Sequence, residues 1–340
     1  MFTLNKVKKF IRTKHFSLIA LLILIVAFFW MFSKNHSYTG LNNIRNILNA
    51  MVIYTLLAVG GGMVIISGGI DLSPGYIGTA AGAVLAALLS GTGLPWFVAV
   101  IICLIIGAAF GLLNAVLINE LNFQSFIATL AVGSFLAGGF AYIVVNGVTL
   151  EIKNPVLVAI GSGRIGGFLP YAVIISLVVI IIYGVILKKT KFGRSVYLVG
   201  GGREAARLAG ISPRRMSYIL YANSGMLGAL AGILYDSRLA AGNLTGTNGH
   251  SFPAITAAIL GGLSLGGGNG DMLGCFLGLL IISSFNNGLI VLGVSPYWQS
   301  VASGLLLLLA LTLDYFTKRG GLKPKQLKRA AASAGGGTDE

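Results

Sequence analysis

Charge is scarce in this chain, and negative charge most of all. Of 340 residues, 10% are charged and nine are Asp or Glu. Two of the nine close the chain (Asp339, Glu340). The other seven, Asp71, Glu120, Glu151, Glu204, Asp236, Asp271 and Asp314, are expected at the ends of apolar runs or in loops. A self-contained ion-driven carrier commonly places an ionisable residue near mid-membrane, so this scarcity argues against one. Sodium coupling through carbonyls and hydroxyls stays open. A membrane enzyme needs convergent acids, bases or metal ligands, and the apolar runs offer almost none, so no catalytic residue is expected. Cysteine is down to Cys103 and Cys275, both inside apolar runs and read as small fillers. The three histidines (His15, His36, His250) lack metal-ligand spacing, so no metal site is expected. No G-x-x-x-x-G-K-[ST] occurs, so the chain has no P-loop with which to hydrolyse ATP. The string "LGGLSLGGGNG" (260–270) has the glycines of a nucleotide loop, but no Lys follows it and no strand precedes it.

What is abundant is apolar. Hydrophobic residues make up 56% of the chain, and glycine contributes 49 residues, a level that suits closely packed membrane helices. An apolar run of about 20 residues matches the roughly 30 Å hydrocarbon core of a bilayer. Ten such runs are expected to span it: 16–32, 47–67, 76–90, 96–118, 126–146, 170–187, 216–235, 253–268, 272–294 and 298–316. The third and eighth are short and glycine-rich, the pattern of broken or tilted helices. The ten-residue alternation of a barrel is absent. The expected fold is therefore all-α, a polytopic membrane bundle of about ten helices. The first run follows five positive charges, as a signal peptide does, but no small-x-small cleavage site follows, and it reads as an uncleaved anchor.

Positive charge gives the orientation. Five Lys and Arg precede residue 16, eight lie in 188–215 and six lie in 318–329. Even numbers of spans separate the clusters, so all three fall on one side, the cytoplasmic one by the positive-inside rule. The expected division is a basic cytoplasmic terminus (1–15), one membrane domain (16–318) and a disordered cytoplasmic tail (319–340). The net charge of +15 then belongs to loops beside a membrane, and no nucleic acid is expected as a partner.

The stretch "GGREAARLAGISPRR" (201–215) lies in the longest polar excursion between spans. Arg203 to Ala209 fits two helical turns with Ala205, Leu208 and Ala209 on one side and Arg203 and Arg207 four apart. Ser212-Pro213 fits the cap and first turn of the next span. A small amphipathic helix at a membrane face suits another protein's groove; a solvated loop that only enforces topology fits equally well. In "SGGIDLSPG" (67–75), Ser73 and Pro74 read as cap and first helical residue. Asp71 is either a local cap or a gate residue beside a solute path. Among polar residues within spans, Asn49, Asn114, Asn223, Ser224, Ser283, Asn286 and Asn287 either join helices or line a route. Phe252 and Trp298 either anchor at the interface or stack on a sugar ring.

Four stretches carry a resemblance: "SGGIDLSPG" (67–75), "FIATLAVG" (126–133), "TKFGRSVYLVGGGREAARLAGI" (190–211) and "FPAITAAILGGLSLGGGNG" (252–270). With them the chain resembles the permease subunits of ribose-type bacterial ABC importers, which carry monosaccharides, over about 45 to 316. The resemblance implies a type II importer-like permease in the inner membrane, a second permease copy, a cytoplasmic ABC ATPase that holds ATP and Mg, and a periplasmic sugar-binding protein. No cofactor bound by this chain itself is implied. "EAARLAG" (204–210) also resembles the ATPase-docking signature of importer permeases, which carries that role onto Arg203, Glu204, Ala205, Ala206, Arg207, Leu208, Gly210 and Ile211. Candidate pathway residues are Asp71, Ser73, Asn114, Asn223, Phe252, Asn286 and Asn287. Pro74 and Asp271 depart from the commoner residues of the family, an aliphatic and Ser respectively.

Overall fold

The computed structural model describes residues 14–312, apart from 296, 300, 307, 310 and 311. The expectations for 1–13, for the tail 319–340 and for much of the run 298–316 lie outside the described residues. Eight described helices are long and apolar enough to cross a membrane. They are α1 (Lys14–Phe32), α2 (Leu41–Ile66), α3 (Pro74–Gly91), α4 (Trp96–Asn119), α5 (Ser125–Val145), α7 (Tyr171–Lys189), α10 (Pro213–Leu239) and α12 (Met272–Val291). Within α5 the residues Leu136–Phe140 form a π turn.

One expected span is corrected. In place of a helix over 253–268 the chain makes α11 (Ser251–Leu260), ten residues long, and then an irregular glycine loop. Gly262, Gly267, Gly268 and Gly270 all take positive φ there, which a helix cannot accommodate. The apolar count was right about burial and wrong about conformation. Two further helices carry no run long enough to announce them. The first is α6 (Pro155–Ser162), capped by Asn154 Oδ1, which accepts from the N–H groups of Val156 and Leu157 at 3.1 and 3.2 Å. The second is α8 (Lys191–Gly201), where Thr190 Oγ1 accepts from Gly193 N–H at 3.1 Å.

The bundle is organised around α10, which starts as expected: Ser212 Oγ accepts from Arg215 N–H at 3.3 Å and Pro213 sits in the first turn. Glycines let its backbone touch those of its neighbours. A Cβ placed on Gly111 of α4 would lie 2.1 Å from Tyr221 O, and one on Gly232 would lie 1.8 Å from Gly78 O of α3. In lipid no hydrophobic force pulls helices together, so backbone-to-backbone dispersion contact has to hold them. Glycines at these crossings, Gly78, Gly107, Gly111, Gly225, Gly228 and Gly232 among them, supply it. Cys103 and Cys275 are free and buried, acting as small core residues.

Candidate functional site

The chain breaks where "SGGIDLSPG" predicts it. α2 ends in a left-handed glycine cap, with Gly68 N–H and Gly69 N–H donating to Ile65 O and Val64 O and Gly68 at φ 86°. Residues 67–73 then run unwound into the interior. Their backbone donors are met by side chains of α5: Ile70 N–H donates to Ser125 Oγ at 3.2 Å and Leu72 N–H to Thr129 Oγ1 at 3.3 Å. Tyr221 Oη–H of α10 donates to Ile70 O at 3.2 Å. Thr129 belongs to "FIATLAVG", which gives that stretch a physical role.

The depth of the break follows from its neighbours. Pro74 packs on Gly228, and Gly228 lies about 22 Å along α10 from Pro213 at 1.5 Å per residue. α3 therefore begins near the middle of the bundle. The second short helix begins at the same level, since Ser251 Oγ accepts from Gly75 N–H at 3.0 Å. From this junction α3 runs toward the Leu239 end of α10 (Gly78 on Gly232, Gly82 on Asp236). α11 runs the other way, toward the loop in which Gly268 N–H donates to Ile66 O at 2.8 Å. Two half-helices thus start together and diverge, each fed by an unwound segment from the opposite face. Broken helices of this kind mark solute routes in transporters.

The second feeding segment is "AAGNLTGTNGH" (240–250), not the glycine loop 259–270 whose texture invites the comparison with 67–75. It descends beside α3, with Thr247 N–H donating to Thr79 Oγ1 at 2.9 Å and Thr247 Oγ1–H to Gly75 O at 2.6 Å. Sequence reasoning missed it, along with Thr79, Thr247 and Ser251. Its Gly, Asn and Thr content was the available signal.

At the junction Asp71, Ser73 and Asn114 form one buried group. Ser73 N–H and Oγ–H both donate to Asp71 Oδ1, at 3.0 and 2.7 Å, and Asn114 Nδ2–H donates to Ser73 Oγ at 2.8 Å. Ser73 holds the cap position of α3, but its hydroxyl makes no capping bond and serves Asp71 instead. The expectation that the acidic residues sit only at run ends or loops needs correction in its consequence. Asp71 and Asp236 are each 1% exposed, because a break and a helix end can both be buried by half-helices from elsewhere. Ser73→Ala should cost about 2–4 kcal/mol by taking one of its donors from buried Asp71 and the acceptor from Asn114 Nδ2. A melting-temperature drop in detergent checks this, and an unchanged one would refute it.

Phe252, Asn286 and Asn287 meet in a second place, a cavity of about 720 Å³ that Tyr54, Arg238 and Thr256 also line. Phe252 is 43% exposed and forms a wall of this cavity. Ser303 Oγ–H donates to Asn286 Oδ1 at 3.4 Å. Asn223 joins neither group. Its Oδ1 accepts from the Tyr183 hydroxyl, tying α10 to α7.

The polar excursion folds as α8 and then α9 (Arg203–Leu208). Ala206 is fully buried against the permease, and Ile211 packs on its core. Glu204, Ala205, Arg207 and Leu208 stay exposed, Leu208 at 91%. Arg207 pairs with Glu204 at 2.8 Å, whereas Arg203 lines a polar cavity of about 260 Å³ under the unwound 67–69. Gly210, at φ 77°, turns the chain so that Ile211 N–H donates to Ala206 O at 2.9 Å. Next to this platform Tyr218 Oη–H donates to Glu120 at 2.6 Å and Arg214 pairs with the same carboxylate. Both hold Glu120 below its usual pKa, the Tyr218 bond being the larger cause. Asp271 caps α12, accepting from Gly274 N–H at 2.9 Å, with His15 at 3.3 Å. Burial opposes its ionisation, but the Gly274 bond, His15 and Lys188 outweigh that and lower its pKa. Ser would cap this helix equally well, which accounts for the departure at 271, as the first-turn position accounts for Pro74.

Similarity to known proteins covers most of this chain. A family profile described as "Branched-chain amino acid transport system / permease component" matches residues 43–311. The ribose import permease protein RbsC of Escherichia coli (strain K12) is 38% identical over 302 residues, covering 88% of this chain and 92% of that protein. Its namesake in Bacillus subtilis (strain 168) is 37% identical over 281 residues, covering 82% and 87%. The fructose import permease protein FruG of Bifidobacterium longum is 36% identical over 287 residues, covering 82% and 84%.

Proposed function

We propose, since this chain belongs to the importer permease family whose profile matches residues 43–311, that it is the membrane-spanning subunit of an ATP-driven monosaccharide importer. It is a multi-pass transport component rather than an enzyme. The relatives named for ribose and fructose import support a small sugar as the solute. The observation that carries the reading is the pair of half-helices meeting at the level of Gly75 and Ser251, beside a cavity wide enough for a sugar. Phe252 offers a face on which a sugar ring can stack, and Asn286 and Asn287 offer amides to its hydroxyls. The chain holds no nucleotide; ATP and Mg belong to a partner ATPase, seated on the exposed residues of α9. A sugar-binding protein delivers solute to the opposite face, and two permease copies present two docking platforms to two ATPase domains.

Reconstitution tests this. Proteoliposomes with the permease, its ATPase and its binding protein should accumulate sugar only with ATP inside, insensitively to ionophores. Native mass spectrometry should count two permeases per ATPase pair. Ionophore-sensitive uptake by the permease alone would instead establish an ion-coupled carrier.

The orientation has its own test. On this reading residues 188–215 face the cytoplasm, which the basic clusters support. Thr245 is exposed, but its carbonyl is held by Thr79 Oγ1–H at 3.3 Å, beside the buried junction. Lys153, whose side chain is 81% exposed, serves better. Impermeant thiol reagents on spheroplasts should label Lys153→Cys and spare Ser195→Cys; the reverse pattern would invert the topology.

A further inference from the structure

Beyond the solute route, the bundle carries an open groove on its outer surface, between α7 and α12. Its volume is about 410 Å³, and its walls are Leu177, Ile181, Val185, Leu273 and Phe276. Gly184 forms the floor: a Cβ there would meet only Met272 Cβ, at 3.5 Å. Ile181, Val185 and Leu273 are each more than half exposed, an apolar surface suited to contact with hydrocarbon. The groove ends at Lys188 and Lys189, two lysines that line its mouth. Neither has an ion-pair partner within 4 Å among the described residues. Asp271, held by Gly274 N–H and His15, is close enough for Lys188 to act on it, and its one negative charge set against two lysines leaves the mouth positive.

The dimensions select an occupant. From Leu177 to Lys188 the groove follows about 16 Å of helix at 1.5 Å per residue. One leaflet contributes about 15 Å of the roughly 30 Å hydrocarbon core. A slot one leaflet deep, apolar along its length and cationic at the headgroup end, matches a phospholipid and not a water-borne solute. Basic pockets between membrane helices on the cytoplasmic side attract anionic headgroups.

We propose that this groove binds an anionic phospholipid of the cytoplasmic leaflet, one acyl chain lying over Gly184 and the phosphate between Lys188 and Lys189. The site rests on the cytoplasmic placement of 188–215, which the thiol labelling above tests separately. It is independent of which sugar is carried.

The test uses the full-length permease, purified in mild detergent from membranes holding phosphatidylethanolamine and phosphatidylglycerol, with retained lipid measured by native mass spectrometry. The wild type should keep one phosphatidylglycerol per chain and little phosphatidylethanolamine. Lys188→Gln with Lys189→Gln should lower that retention about tenfold or more, as loss of two basic residues at an anionic surface requires. Gly184→Leu should lower it equally by filling the slot. Both lysines are exposed, so the double variant should keep the wild-type melting temperature and remains informative if Gly184→Leu does not fold. Equal retention of both lipids by the wild type, or undiminished retention in the double variant, would overturn the proposal. So would a disulfide between two copies carrying Phe276→Cys, since a second permease would then occupy the groove.

Discussion

Gly232→Leu should abolish the folded permease. A Cβ at this position would lie 1.8 Å from Gly78 O and 2.4 Å from Gly78 C, and both are backbone atoms that no rotamer change can move. α3 and α10 would have to separate, and with them the junction at Pro74 and the packing of Gly82 on Asp236. Overpacking a core commonly costs 1–3 kcal/mol; forcing two backbones apart at a helix crossing should cost more than about 3 kcal/mol by the same logic. Fluorescence-detected size exclusion should show aggregate, or a melting temperature far below wild type. Gly91→Leu is the control. Gly91 is a helical glycine of the same α3, with nothing within 4 Å of its Cβ position, so it should elute and melt as the wild type does. A monodisperse Gly232→Leu with wild-type melting would show that the contact between α3 and α10 is not the one described.

Leu208→Asp and Glu204→Lys should leave the permease folded and stop transport. Leu208 is an apolar side chain 91% exposed on a short helix whose Ala206 is buried against the permease. Hydration of so exposed a leucine gains nothing for this chain, so its packing is expected on the ATPase. Glu204 and Arg207 form an exposed pair at 2.8 Å; on the proposed docking they meet charges at the rim of the ATPase groove. Loss of an anchor or reversal of a rim charge costs on the order of 1–3 kcal/mol at an interface. The expected phenotype is normal membrane abundance and melting, ATPase co-purification weaker by about 5- to 150-fold at that cost, and loss of sugar-stimulated ATP hydrolysis. Gly210→Leu is a poorer probe than its place in "EAARLAG" implies. No atom of this chain stands within 4 Å of its Cβ position, and its φ of 77° imposes a left-handed strain of about 1–2 kcal/mol on any other residue. Wild-type uptake by both Leu208→Asp and Glu204→Lys, with the ATPase still bound, would leave 188–215 as a loop that only sets topology.

The sequence by itself determined what depends on a few neighbouring residues. Apolar length marked the eight spans described here. Pro74 in a first turn and the Ser212-Pro213 start were legible, because proline and capping side chains act on their own backbone within one turn. For 203–209 only the short helix was legible: Ala205, Leu208 and Ala209, read as its apolar side, are exposed, and Ala206 is the residue buried against the permease. Only the tertiary structure decided depth and company. The run 253–268 is apolar enough to span, yet it yields a ten-residue helix, because its glycine loop packs on Gly200 and Ile66 from distant segments. Asp71 and Asp236 sit at a break and near a helix end, positions that usually meet water, and are buried because half-helices from elsewhere in the chain cover them. The candidate pathway residues divide into Asp71, Ser73 and Asn114 at the junction, Phe252, Asn286 and Asn287 in the cavity, and Asn223 between α7 and α10, a grouping that no spacing encodes. Hydropathy fixes whether a segment enters the membrane, since the solvent reads each residue separately. Which polar groups meet inside is set by contacts between segments far apart in the chain, as between Gly75 and Ser251.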